Sequence, residues 1–474
     1  MTSRDPRAAG VIVLVADGIR PDTLASAIST GRAPALAQLR AEGALHTVTS
    51  VFPSVTGPAY APFLMGRYPG SVGLPGLRWF DREGRATSRW HRTRSYVGVD
   101  FGKVDSDLDP TTPTIFELAE PALGALNVIG RGLPQQHRIG GSLGFGLYAL
   151  ATHLRGGVDG WLAIDRRIAD EFAHRVQRDR PIFAFCALTG IDKASHATGH
   201  DSPKVFEALS IVDALAGRLR DDALRDGRWE RTHLWVVSDH GHSPVTQHDD
   251  LATQLRHWGL GVRAHPWVMG ANHDTAVMVS GNAMAHIYVN LRERTRQWWP
   301  SHTARWQWLA DRLLALPSVD LLLFPTSDRV CEVRAHGRGG ARIVRERDRW
   351  AYRPETGDPL GVGPLEGLTL ESAWDATAGS DYPDAIVQAL QLAASPRSGD
   401  IIASAARGWD FRARWEPIPH VSSHGALHRD HMVVPLLLNR PVAAQPRRTV
   451  DVMPSALSAL HIRLPAGLDG TSFF

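Results

Sequence analysis

The chain has 474 residues, 43% of them hydrophobic and 21% charged, which excludes disordered, collagenous and coiled-coil architectures and leaves ample material for a core. Its 52 Lys and Arg against 49 Asp and Glu give a formal charge of +3, too small an excess for a surface built to hold a nucleic-acid polymer. Only Cys186 and Cys331 are present, too few for a disulfide framework, and no apolar run approaches the roughly 18 residues of a membrane span, so a soluble cytoplasmic protein is expected.

The first predicted element is the continuous apolar run Val11–Ala16, closed by Asp17 and Gly18. Continuous rather than alternating apolarity suits a strand buried on both faces, and a carboxylate where such a strand ends is well placed to hold a cation. Alone, such an Asp17 is a turn or cap residue more often than a ligand, and only further ligands raise it.

The segment Phe52–Pro69 comes next. Thr56 precedes a stretch that could be a helix with Pro58 in its first turn, which would aim its hydroxyl at free backbone N–H groups, although Pro62 would interrupt that helix. Tyr60 lies in the same stretch, as a packing residue or a substrate contact. Further on, Ile139–Leu150 is rich in glycine and apolar residues and reads as a buried structural segment or the wall of an apolar pocket.

A second buried run, Ile182–Leu188, leads into Asp192, Lys193 and His196. Asp192 and His196 stand at i and i+4, so one helical turn would let a carboxylate and an imidazole converge on one ion, with Lys193 near enough to reach a phosphate. A helix is predicted after Pro203, with Val205, Ala208, Leu209, Val212, Leu215 and Leu219 on one face. The run His233–Val237 then repeats the strand-end design with Asp239, His240, Gly241 and His242; adjacent residues can share an ion only where the backbone turns, which Gly241 would permit.

From about 260 to 410 the texture changes: Trp298 and Trp299, a hairpin-like stretch over Gly337–Tyr352 and several Gly/Pro breaks suggest an inserted cap subdomain, leaving 1–259 and 411–474 as the core. His424 follows, before the buried run Met432–Leu438. The pattern of buried strands with helices between them predicts an α/β fold: a central mixed sheet flanked by helices.

The order of these segments resembles the alkaline phosphatase superfamily, most closely its nucleotide pyrophosphatase/phosphodiesterase branch: strand-Asp17-Gly18, Phe52-Pro53 with Thr56, Gly66 with Tyr68-Pro69, Asp192 with His196, Ser238-Asp239-His240-Gly241, and His424-Gly425. The resemblance implies two zinc ions, one held by Asp192, His196 and His424, the other by Asp17, Asp239, His240 and the oxygen of Thr56. Thr56 would then be the nucleophile of a phosphoester hydrolase, forming a phosphothreonine, and a small-molecule phosphodiester or pyrophosphate would be the substrate.

One departure stands out. The branch usually carries Asn three residues after the nucleophile and another about twenty residues on, the second donating to a phosphoryl oxygen; here those places hold Ala59 and, near the second, Leu77. Such a donor contributes on the order of 3 kcal/mol to the transition state, so Tyr60, Lys193 or His242 would replace it, or the substrate differs. A phosphomonoesterase or phosphonate hydrolase on the same site is therefore the alternative, and a metal-binding protein without catalysis is the non-enzyme one.

Overall fold

The computed structural model describes residues 10–84, 92–98, 100–155, 157–266, 273–412 and 420–474. The first strand, Gly10–Ala16, sits near the middle of a seven-stranded sheet, between Phe183–Leu188 and Thr232–Val237 and parallel to both. Its residues divide by parity: Ile12, Leu14 and Ala16 join one core cluster and Val11, Val13 and Val15 the other. That is why the run carries no polar residue: both faces are covered, and each large aliphatic side chain buried contributes ~1.5–3 kcal/mol.

Outward from these three strands lie Ala122–Ala125 and Arg138–Ile139 on one side, Val433–Leu438 and Ala44–Thr49 on the other. Val433–Leu438 runs antiparallel to both its neighbours, which makes the sheet mixed. Met432, expected in that strand, ends a short helical turn, Arg429–Met432. Helix Pro203–Arg225 covers one face; Ser202 caps it by accepting from Val205 N–H, Pro203 opens it, and the six expected apolar positions are buried. The stretch Ile139–Leu150 differs from expectation. It enters a helix over Leu143–Leu154 whose Tyr148 is 46% exposed, so it is not a buried segment; the side chains of Leu143, Leu147 and Leu150 lie outside the described residues.

A nine-stranded sheet is drawn wholly from residues between Val262 and Ala405. It contains the expected hairpin as Gly339–Glu346 paired antiparallel with Arg349–Pro354. Its turn between strands Thr275–Ser280 and Met284–Val289 reaches the segment after Ser422–Ser423, a strand of a separate three-stranded sheet: Asn282 bridges to His424, and Ala283 N–H donates to His424 O at 3.1 Å. Gly281 is required at that turn by its φ of +61° and because a Cβ there would lie 2.5 Å from Val55 and 3.2 Å from the His424 ring. Among the described residues no helix is long and apolar enough to cross a membrane.

Candidate metal centre

The three central parallel strands end side by side, and the chain leaves each on an acidic residue or an acid-bearing turn. Asp17 follows Ala16 directly and its N–H donates to Leu188 O at 3.2 Å, while Val237 leads through Ser238 to Asp239 and His240. Strand Phe183–Leu188 passes into helix Gly190–Thr198, which presents Asp192 and, one turn on, His196. Asp165, from helix Val158–Asp179, caps this helix by accepting from Thr189 N–H at 3.2 Å and Gly190 N–H at 2.6 Å. Burial pushes the carboxyl of Asp165 up to about 7 despite those two bonds.

Thr56, Asp17, Asp239 and His240 meet in one cage. The Thr56 hydroxyl lies 3.1 Å from both Asp17 Oδ1 and His240 Nε2, and His240 Nε2 lies 3.2 Å from Asp17 Oδ1 and 3.6 Å from Asp239 Oδ2. Asp239 Oδ1 accepts from Gly18 N–H, while Oδ2, fully buried, has no hydrogen-bond partner among the described residues. The route to this position differs from the one expected. Pro58 opens a 3-10 turn, Pro58–Tyr60, that runs directly into a five-residue helix, Ala61–Met65, with Pro62 in its first turn, and the Thr56 hydroxyl is engaged by Asp17 and His240 rather than by the backbone of that segment. Gly241 also acts otherwise than expected: its φ is not positive, but a Cβ would lie 2.1 Å from Asp430 O, so the chain approaches too closely for a side chain.

Asp192, His196 and His424 form the adjoining cage, with Asp192 Oδ1 3.2 Å from His196 Nε2 and 3.5 Å from His424 Nε2. Each imidazole is oriented from behind: His196 Nδ1 lies 2.8 Å from Ser422 O and His424 Nδ1 2.9 Å from Ser54 O. A carbonyl can only accept, so both rings carry a proton on Nδ1, and in the neutral imidazole this turns the lone pair of Nε2 toward Asp192. The His240 and His424 rings stack at 3.6 Å and 4°, which makes the two cages neighbours.

The electrostatics suit cations. Burial and the neighbouring Asp17 push the Asp239 carboxyl up to about 8, whereas Asp192 is held well below the usual carboxylate range, against the cost of burial, by the ammonium of Lys193. Burial disfavours a charged His240, yet Asp239 and Asp17 raise it to about 9. Three carboxylates, all 2% exposed or less, thus stand together around a buried oxygen that has no donor among the described residues, and one ligand atom from each of Asp17, Asp192 and His240 lies within 4.8 Å of the others. Oxygen and imidazole donors in this arrangement fit divalent zinc-like ions.

The expected substrate contacts are placed differently from one another. Tyr60 is fully buried with its ring edge against Phe185 at 5.5 Å, a packing position beneath the cage, and its hydroxyl has no partner among the described residues. Lys193 Nζ lies 2.7 Å from Asp192 Oδ2, and the lysine side chain remains 31% exposed. His242 is turned inward to Asp192. Beside Gly57, where a Cβ would meet Leu77 at 3.3 Å and Val128 at 3.7 Å, the wall is apolar. His420 was not expected near the site; it stacks on His196 at 4.4 Å, and only its spacing from His424 in the sequence hints at this.

Gly18 tests how tightly the two cages are joined. Its φ is +79° and a Cβ would come within 2.9 Å of the His242 ring and 3.4 Å of Asp192 Cα. Gly18→Ala is expected to lower stability by about 1–3 kcal/mol and to weaken metal binding together with it. Urea unfolding and metal titration of the same preparation check this, and unchanged values in both would show that the contact yields.

Comparisons with known proteins identify the family and the fold. The sequence pattern of the family described as type I phosphodiesterase / nucleotide pyrophosphatase matches residues 11–315. The fold is similar to that of phosphonoacetate hydrolase from Sinorhizobium meliloti, at 16% identity over 96% of each chain with a TM-score of 0.58. It is also similar to murine ectonucleotide pyrophosphatase/phosphodiesterase 5, at 14% identity over 97% of each chain with a TM-score of 0.57. No curated protein matches by sequence. At these identities the solved structures establish the fold and its central mixed sheet, while the match over most of the chain, including both strand-end acids and Thr56, establishes the kinship. The chain therefore belongs to the type I phosphodiesterase/nucleotide pyrophosphatase family of the alkaline phosphatase superfamily and is a phosphoester hydrolase.

Proposed function

We propose that the chain hydrolyses a small-molecule phosphodiester or pyrophosphate with Thr56 as nucleophile and two zinc ions, one at Asp17, Thr56, Asp239 and His240, the other at Asp192, His196 and His424. The observation that carries this reading is the place of the Thr56 hydroxyl, 3.1 Å from a carboxylate oxygen and 3.1 Å from an imidazole nitrogen inside a buried acidic cage. A hydroxyl that only capped a turn would not need such company. When bound, the cations supply positive charge that lowers the pKa of the hydroxyl and offsets that of the phosphoryl oxygens.

The residues supply the geometry. Asp17, fixed by its strand, accepts from the Thr56 hydroxyl and orients its oxygen; attack on phosphorus forms an O–P bond as the ester P–O bond breaks, and water then cleaves the phosphothreonine. Lys193 is the cation beside Asp192 and takes a phosphoryl oxygen in place of the missing Asn. Residues 260–410 serve as the cap over the core of 1–259 and 411–474. The two cysteines, both free and buried, suit the reducing cytoplasm.

Lys193→Ala is expected to lower kcat/KM about 100-fold, on the scale of one lost oxyanion donor, while metal content stays at the wild-type value. Steady-state kinetics with elemental analysis check it; loss of metal instead would mean that Lys193 serves Asp192 rather than substrate.

The apolar wall of Leu77 and Val128 beside Gly57 favours a second reading on the same site, a phosphomonoesterase or phosphonate hydrolase, because it offers no amide donor to a diester oxygen. Rates of the purified, zinc-loaded protein on aryl phosphodiester, phosphomonoester, phosphonate and sulfate substrates separate the two. A diester preference supports the first reading, and a monoester or phosphonate preference replaces it.

A further inference from the structure

Two residues beyond His240 the chain places another histidine, and its ring does not face the cage of Thr56. His242 is fully buried and its Nε2 lies 3.0 Å from Asp192 Oδ1. Its ring meets those of His196 and His424 at centroid distances of 4.9 and 5.1 Å. One ligand atom from each of Asp192, His196, His242 and His424 lies within 4.8 Å of all the others.

The hydrogen bonds behind His242 decide what its Nε2 carries. His242 Nδ1 lies 3.2 Å from Ser422 Oγ, and that hydroxyl lies at the shorter distance of 2.9 Å from Ser243 O, to which it donates. Ser422 has one hydroxyl proton; with that proton on the carbonyl, Oγ accepts from Nδ1–H and leaves a lone pair on Nε2. His196 and His424 are in the same tautomer for the reason already given. Three imidazole lone pairs and a carboxylate oxygen therefore converge with no proton between them, an arrangement that repels unless a cation stands at its centre.

The spacing agrees with this. Nitrogen and oxygen ligands about 2.0–2.1 Å from a tetrahedral zinc are about 3.3–3.4 Å apart. From Asp192 Oδ1 the three distances are 3.0 Å to His242, 3.2 Å to His196 and 3.5 Å to His424. The main chain is built to keep His242 in place: Arg20 donates to His242 O at 2.7 Å, and Gly18 gives the ring the room that a side chain would take.

We propose that His242 is a fourth protein ligand of the Asp192 site, which makes it an Asp/His3 cage. This rests on the two-cation reading and sharpens it: His242 occupies the position that a three-ligand site would leave to water or substrate, so the two cages differ in kind. The Asp192 cage is closed by protein groups, and substrate enters beside Thr56.

Nuclear magnetic resonance of the full chain, labelled with 15N at histidine and loaded with 113Cd, tests this. Imidazole nitrogens that bind the ion show 113Cd–15N coupling, whereas a nitrogen that donates to a carboxylate shows one-bond coupling to hydrogen. The expected result is four cadmium-coupled nitrogens, from His196, His240, His242 and His424, one of which disappears in His242→Gln. Three coupled nitrogens, with His242 Nε2 protonated, would overturn the proposal, make His242 a positioning residue for Asp192 and leave the two-cation reading intact. Fewer than three would remove the two-cation reading itself. The count in the wild-type chain decides the matter even where the variant does not fold.

Discussion

Thr56→Ala is expected to lose roughly three to six orders of magnitude in kcat with the fold intact, because it removes the attacking atom while leaving the Asp and His groups around it. Among the described residues the Thr56 hydroxyl bonds to Asp17 and His240, and each of these has other partners that hold it in the cage. Thr56→Ser keeps the oxygen and removes a methyl group, so measurable turnover should remain. Water could give the alanine variant a trace of direct hydrolysis, so the decisive measurement is acid quenching followed by peptide mass analysis. The phosphoryl adduct should map to Thr56. Ser54 is the competing hydroxyl, but it is fully buried and donates to Ala426 O at 3.0 Å, which turns it away from the site. An adduct on Ser54, or near-normal rates in Thr56→Ala with metal retained, would refute the assignment.

Elemental analysis of the zinc-reconstituted protein should approach two metals per chain, and chelation should abolish activity reversibly. His424→Ala should remove one of the two ions, whereas His431→Ala should leave the stoichiometry unchanged. The difference lies in the nitrogens. His424 uses Nδ1 on Ser54 O and turns Nε2 to Asp192, while His431 has both engaged by protein, Nδ1 accepting from Ala426 N–H at 3.0 Å and Nε2 lying 2.7 Å from Ser243 Oγ. A metal loss of the opposite kind would mean that the late ligand is His431. Sub-stoichiometric metal in the wild-type chain after reconstitution would remove the two-ion scheme altogether.

The legible parts of this protein are those in which one local pattern determines the outcome. A short, continuous apolar run suits a strand covered on both faces, so the strands at Val11–Ala16 and His233–Val237, and the acids that follow them, could be read directly. Asp192 and His196 were legible because a helical turn brings i and i+4 together. The surroundings of Thr56 were not, since the two prolines that were read as opening and interrupting one helix instead produce a 3-10 turn and a helix of five residues. Nor was the inward turn of His242, which depends on Ser422 and Gly18, residues 180 and 224 positions away from it that only the fold brings to its ring. The strand order of the second sheet was equally hidden: Ile401–Ala405 lies between Met284–Val289 and Val319–Pro325, a pairing set by contacts more than a hundred residues apart for the first of them.

The turn at Gly281–Ala283 has a consequence for how the molecule holds together. It belongs to the second sheet, yet it grips the backbone of His424, whose ring faces Asp192 and stacks on His240 where strands of the first sheet end, so this imidazole is held in place by the docking of that turn against the site. An ion that needs His424 then binds the docked state in preference to any state in which the sheets have parted, and at 100 times its Kd such a ligand adds about 2.7 kcal/mol to the stability of the preferred state. The metal acts in this sense as a clasp between two architectural halves, and a chelator that silences the enzyme should at the same time loosen the seam between them.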